Sequence, residues 1–185
     1  MSRVFQTPEG KAIYGMMAEY ATPADIYHAA EKVRDAGYEK WDVYAPFPIH
    51  GIDEAMGMKR ALLPLVVACT GLTMAGVGFL FQYFVSGVFY PLVHQGKPAD
   101  AWQAFIPVTF EIGVLFTAFS ALLGMFAFNA LPRFHHPLMC KERFLRVSDD
   151  KFIIAVEARD PRFDPQQTKT LLESSGAKAV EWVEE

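Results

Sequence analysis

One carboxylate stands inside an otherwise apolar run: Glu111, in the stretch FIPVTFEIGVLF. An ionisable side chain within a membrane-length segment is expensive, and such groups serve proton paths or hold partners. Two readings of Glu111 stay open: a hydrogen bond to a helix neighbour or partner subunit, and a proton path. Asn129 follows 18 residues later. At ~100° per residue it returns to the same helix face, so Glu111 and Asn129 form a candidate intramembrane proton or partner contact. The remaining groups point to less. His135 and His136 are adjacent, so on a helix they point ~100° apart and converge poorly on one metal. With Pro132 and Pro137 around them, they are read as interfacial structure. Asp53 and Glu54 read as a solvated lead-in. Cys69 and Cys140 form no C-x-x-C pair and no haem-attachment motif, and are read as inert. Phosphate-loop, dinucleotide, nucleophile-elbow and zinc-helix motifs are all lacking. No catalytic, cofactor-binding or metal-ligating residue is therefore assigned.

The elements that would position Glu111 are two long apolar runs, 61–83 and 102–130. Each is long enough to cross a bilayer core, which needs ~20 residues of helix. A buried hairpin in a soluble protein is the alternative. On the first run Ala68, Gly71, Ala75 and Gly78 recur at spacings of 3, 4 and 3; on the second, Gly113, Thr117, Ser120 and Gly124 recur at 4, 3 and 4. Each set lies on one helix face. Small residues let membrane helices approach closely, so these eight are expected to pack the hairpin, with Ala75 near Gly113, Gly71 near Thr117 and Ala68 near Ser120. Glu111 falls on the opposite face.

The segments on either side repeat one pattern. Residues 11–20 read as a strand. Thr22-Pro23 starts a helix with an Ile26, Ala29, Ala30, Val33 stripe, Gly37 stops it, and Trp41, Val43 and Tyr44 form a second strand. After the hairpin, residues 151–158 read as a strand, Asp164-Pro165 starts a helix, Gly176 stops it, and 179–183 is a final strand. The expected fold class is α+β plus a membrane α-hairpin. It is a ferredoxin-like split β-α-β sandwich with a two-helix transmembrane hairpin inserted between its halves. The boundaries are 1–58 for the first half and connector, 59–133 for the hairpin and 134–185 for the second half. Two unrelated lobes are the alternative. The connector contains Pro48, His50 and Asp53, a candidate docking loop, with a tight lead into the membrane as the favoured reading; its prolines exclude a regular helix or central strand.

Charge orients the whole. Lys59 and Arg60 precede the first run and Arg133, Lys141, Arg143 and Arg146 follow the second, while the turn between carries only Lys97. The positive-inside rule then places both termini and the soluble domain in the cytoplasm. Tyr83, Tyr90 and Trp102 suit the outer interface belt. The first ten residues lack an apolar signal-peptide core, so the first span is expected to act as the membrane signal. A net charge of −4 leaves no broad basic surface for nucleic acid.

Four stretches carry a family resemblance: PIHGID before the first span, FIPVTFEI opening the second, GMFAFNALPRFHHP closing it and DKFIIAVEARDPRFD after it. Together they resemble the family of small two-span membrane subunits of bacterial alternative complex III, a quinol:electron acceptor oxidoreductase. His135 stands where that family has a tyrosine as often as not. The resemblance implies an accessory subunit of the bacterial inner membrane, in contact with lipid and with multi-span quinol-oxidising subunits. It implies no redox cofactor in this chain, with haem c and iron–sulfur clusters on partner subunits, and it supplies no catalytic residues. The expected function is thus a non-catalytic subunit supporting assembly, with proton transfer as a further role for Glu111. A membrane-anchored domain that senses a small molecule is the alternative, resting on fold analogy alone.

Overall fold

The computed structural model describes residues 5, 6, 10, 12–93 and 95–185. The expected strand start at Lys11 and most of the first ten residues lie outside them. In chain order the elements are β1 (Ile13–Tyr20), α1 (Pro23–Asp35), β2 (Trp41–Tyr44), α2 (Ile52–Met56), α3 (Leu63–Tyr83), α4 (Ile106–Phe128), α5 (Glu142–Leu145), β3 (Phe152–Glu157), α6 (Pro165–Ser174) and β4 (Ala179–Glu184). The chain divides into two compact units. One joins Met1–Lys59 to Phe134–Glu185; the other is Arg60–Arg133.

The first unit mixes helices with a four-stranded antiparallel sheet in the order β2-β3-β1-β4. Its helices begin where side chains can satisfy free backbone N–H groups. Thr22 Oγ1 accepts from the Asp25 N–H at 3.2 Å, and Asp164 Oδ1 accepts from Gln166 and Gln167 at 3.0 and 2.9 Å. Pro23 and Pro165 follow these caps, where a missing N–H costs nothing. Gly37, at φ +79°, takes the left-handed turn just beyond α1.

Strand alternation creates two buried faces. Met16, Ala18 and Tyr20 of β1 join Ile154 and Val156 of β3 beneath Ile26 and Val33 of α1 and Leu172 of α6. On the other face Met17, Ile153, Ala155 and Val183 lie beneath Leu138 and Phe144. Burial on both faces is why β3 reads as the unbroken apolar run FIIAV. The cover on this second face, a 3₁₀ turn Pro137–Cys140 followed by α5, carries no strong periodicity, and sequence reasoning did not anticipate it. A register shift lies between Ile13 and Gly15. At Gly15 an added Cβ would sit 2.3 Å from the Val156 carbonyl oxygen, so this close strand contact requires glycine.

The second unit is a pair of long helical segments, Leu63–Phe89 and Trp102–Phe128, of 27 residues each. At 1.5 Å per residue each is ~40 Å long, more than a ~30 Å hydrocarbon core requires. The first continues beyond the expected end near Tyr83 through a π-helical turn, Phe84–Phe89. The second begins with a 3₁₀ turn, Trp102–Phe105, and its helix ends at Phe128, two residues before the apolar run does.

Candidate functional site: the two faces of the apolar hairpin

Within the second unit, α3 and α4 meet through small residues. A Cβ on Gly71 would lie 2.2 Å from Thr117 Oγ1, and one on Gly113 would lie 3.2 Å from the Ala75 Cβ. Gly78 faces Ile112, and Gly124 faces Leu63, with added-Cβ distances of 2.8 and 2.7 Å to the tips of those side chains. Ser120 turns its hydroxyl back to the Thr117 carbonyl at 3.0 Å, and Ala68 is exposed. Thr117 likewise donates to the Gly113 carbonyl at 2.7 Å, which spares its hydroxyl an unpaired place between apolar helices.

One residue on this seam escaped sequence reasoning. Gln82 Nε2 lies 3.2 Å from each of three acceptors: the Gly78 carbonyl on its own helix, the Phe105 carbonyl and Thr109 Oγ1. It is the only amide side chain in the run 61–83. A polar group in such a run needs a partner, and that isolation was the available signal.

Glu111 points the other way. It is exposed, two residues before the buried Gly113, and none of the described residues pairs with its carboxylate. Asn129 is also exposed and caps the C-terminus of α4, its backbone N–H reaching the Met125 carbonyl at 3.1 Å. Although the two share a helix face, 18 residues of rise separate them by ~27 Å. That distance is too great for the two side chains to form one site.

The connector residues belong to the first unit. Pro48, His50 and Asp53 are all exposed. Around them α2 is pinned against α1: Ala55 is buried, Gly51 abuts the Tyr27 ring, and Arg34 Nη1 donates to the Glu54 carbonyl at 3.1 Å. The loop is a fixed platform with polar tips. The adjacent histidines part company. His135 is exposed, whereas His136 Nδ1 accepts the Leu138 N–H at 3.3 Å and its Nε2 lies 3.2 Å from the Tyr14 hydroxyl. His136 is thus built into the cover of the soluble sheet. Cys69 and Cys140 are free and exposed. Among the described residues no cluster of His, Cys, Asp and Glu is arranged to hold a metal.

The sheet holds a buried charge centre at Glu19, which sequence reasoning also missed. Glu19 is 4% exposed, and its carboxylate receives Lys151 Nζ at 2.6 Å and the Arg143 guanidinium, which also meets Glu181 at 2.7 Å. Burial pushes the Glu19 carboxyl up, but the bonds from Lys151 and Arg143 outweigh it and hold the group below its ordinary value. Arg143 thereby fastens α5 to both β1 and β4.

The family model for the alternative complex III ActD subunit matches residues 14–182 of the 185. The chain belongs to that family. The match runs from β1 to β4 and includes both apolar helices. No curated protein matches the chain. Membership makes this a subunit of a multi-subunit electron-transport complex, and with two helices long and apolar enough to cross a bilayer it indicates a membrane location.

Proposed function

We propose that the chain is a non-catalytic, membrane-integral subunit that supports assembly of alternative complex III beside its quinol-oxidising multi-span subunits. The observation that carries this reading is the asymmetry of the hairpin. One face is closed by Gly71, Gly113 and Thr117, while the opposite face presents Glu111 without a described partner. A carboxyl facing hydrocarbon would lose its hydrogen bonds at a cost of several kcal/mol, so a polar group or water on a neighbouring subunit is its natural counterpart. A proton path through Glu111 belongs to the same proposal as its second role.

The soluble unit is read as a ferredoxin-like split β-α-β sandwich. Its support is the order β2-β3-β1-β4, in which each half supplies one central and one edge strand. Because strands from before and after the hairpin share one sheet, both ends of the hairpin must emerge in one compartment. The basic flanks support the cytoplasmic side for that compartment, and the membrane is read as a bacterial inner membrane. Haem c and iron–sulfur centres would then reside on other subunits.

Detergent extraction followed by native electrophoresis tests the assignment. Co-migration of the chain with multi-haem and iron–sulfur polypeptides is expected. Migration as a lone species of 20.7 kDa plus detergent would overturn it.

A further inference from the structure

The second face of the soluble sheet is not covered to its end. Asp42 of β2 lies opposite Ala155 of β3, and Glu157 follows two residues further along β3. Strand alternation puts Asp42, Tyr44, Ala155 and Glu157 on this face, and Tyr14 of β1 joins them. The cover reaches the neighbouring region through Leu138 and Phe144. Beyond Leu138 a cavity of about 360 Å³ remains, lined by Tyr14, Trp41, Asp42, Tyr44, Ala155 and Glu157. The methyl side chain of Ala155 keeps its floor low. The volume falls within the lower range of small-ligand sites.

We infer that this cavity binds a guanidinium or alkylammonium group, held by Asp42 and Glu157 and walled by the rings of Tyr14 and Tyr44. Two carboxylates suit the donors of such a cation, and aromatic faces attract it. A planar guanidinium gains the most, because it can stack and form a fork of hydrogen bonds together. This inference stands on the soluble unit alone and is independent of the role of Glu111.

The sheet itself provides the contrast that singles these carboxylates out. Where the fold buries Glu19 for its own stability, it supplies Lys151 and Arg143 as partners. At the cavity it supplies no such partner among the described residues. Asp42 Oδ1 accepts only the Val43 N–H, at 2.8 Å, and Glu157 Oε1 accepts the Tyr14 hydroxyl at 3.1 Å. Lys40 and Arg159 line the same cavity, yet neither pairs with Asp42 or Glu157. Asp42 keeps solvent contact, but burial of its carboxyl pushes it up, and the nearby Glu157 adds to the effect despite the bond from Val43. A bound cation would relieve that repulsion.

Glu157 is also held in position. Because His136 Nδ1 accepts from Leu138, the neutral ring carries its proton on Nε2 and donates it to the Tyr14 oxygen. The Tyr14 hydroxyl donates to Glu157 Oε1, and among the described residues Oε2 has no donor.

Calorimetric titration of the full chain in detergent tests the site, with ethylguanidinium as probe and the neutral isostere ethylurea as control. Saturable binding of ethylguanidinium alone is expected, weakened about tenfold or more by Asp42→Asn or by Glu157→Gln and unchanged by Asp53→Asn. Thermal unfolding of each variant verifies that it is folded. Absence of saturable binding to the wild-type chain, equal binding of both probes, or binding that survives both cavity substitutions overturns the inference. Repeating the titration on the intact complex identifies the source of the cation. Binding lost on assembly assigns the cavity to a basic side chain of a neighbouring subunit, whereas binding retained assigns it to a free amine.

Discussion

Gly71 and Thr117 approach so closely that one methyl group on the glycine would collide with the threonine hydroxyl, 2.2 Å away. Thr117 cannot yield easily, because its hydroxyl is bonded to the Gly113 carbonyl. Gly71→Leu is therefore expected to force α3 and α4 apart and destabilise the hairpin by about 1–3 kcal/mol, the usual cost of overpacking. Leu72→Ala, at a side chain that is 77% exposed, should change hairpin stability by less than about 0.5 kcal/mol. Denaturant unfolding of the detergent-solubilised chain measures both. Equal losses would refute the assignment of the packed face.

Glu111 distinguishes a structural contact from a proton path. Glu111→Leu should weaken assembly on native gels, because the replacement can satisfy no polar group on a neighbour. Glu111→Gln keeps hydrogen-bonding capacity and should assemble normally. Unchanged quinol turnover in that variant indicates a structural contact; slowed turnover in an assembled complex indicates a proton path. A fully active, normally assembled Glu111→Leu complex would rule out both.

Orientation can be read at Gln95, in the turn between the two apolar segments. A cysteine placed there is expected to react with an impermeant reagent added outside intact cells, in keeping with the basic flanks. Reaction only after permeabilisation would invert the topology.

Glu19 should make the soluble unit sensitive to acid. Its carboxyl lies below the ordinary value of 4.5 in the folded state, so the unfolded chain takes up the proton first. The stability it contributes is present above about pH 4.5 and is lost as pH falls through the lower folded value. Glu19→Ala, measured by unfolding at pH 7, should cost roughly 1–3 kcal/mol. That is less than for a fully buried pair, because Arg143 and Lys151 keep solvent contact. The variant should also lose less stability on acidification than the wild type; an identical pH profile would sink the assignment.

Tyr20 should respond at the other end of the pH scale. Ser175 Oγ gives its proton to the Leu172 carbonyl at 2.6 Å, so the Tyr20 hydroxyl must donate to Ser175 across 2.7 Å. Burial pushes the phenol up to about 12, partly offset by the Ser175 bond. Below pH 10 its contribution to stability is complete, and it declines as pH rises from there towards 12. Phenolate absorbance should show Tyr20 among the late-titrating tyrosines, beside Tyr44, which burial also pushes up, and Tyr20→Phe should remove one late component. A titration curve unchanged by that substitution would contradict this.

What was legible in the sequence had local causes. Thr22-Pro23 and Asp164-Pro165 mark helix starts because the capping oxygen and the N–H that donates to it lie within three residues. The small-residue spacings on the two apolar runs are visible for the same reason. What was hidden depends on partners far apart in the chain. Arg143 meets Glu19 across 124 positions, Tyr14 meets His136 across 122, and Gln82 meets Thr109 across 27. No periodicity encodes such meetings. Asp42 and Glu157 each look like an ordinary strand-end acid until the pairing of β2 with β3 sets them on one face.

The strand order also constrains the order of manufacture. The ribosome releases β1 and β2 first, but in the finished sheet they do not touch, because β3 lies between them. β3 is synthesised only after the entire apolar segment from Arg60 to Arg133. Until then the faces of Met16, Met17 and Tyr20 that end up buried lack the β3 residues that cover them. Completion of the fold therefore reports that the whole apolar segment has been made. A chain stalled or misinserted midway is left with sticky, unpaired strands that quality-control proteases can recognise.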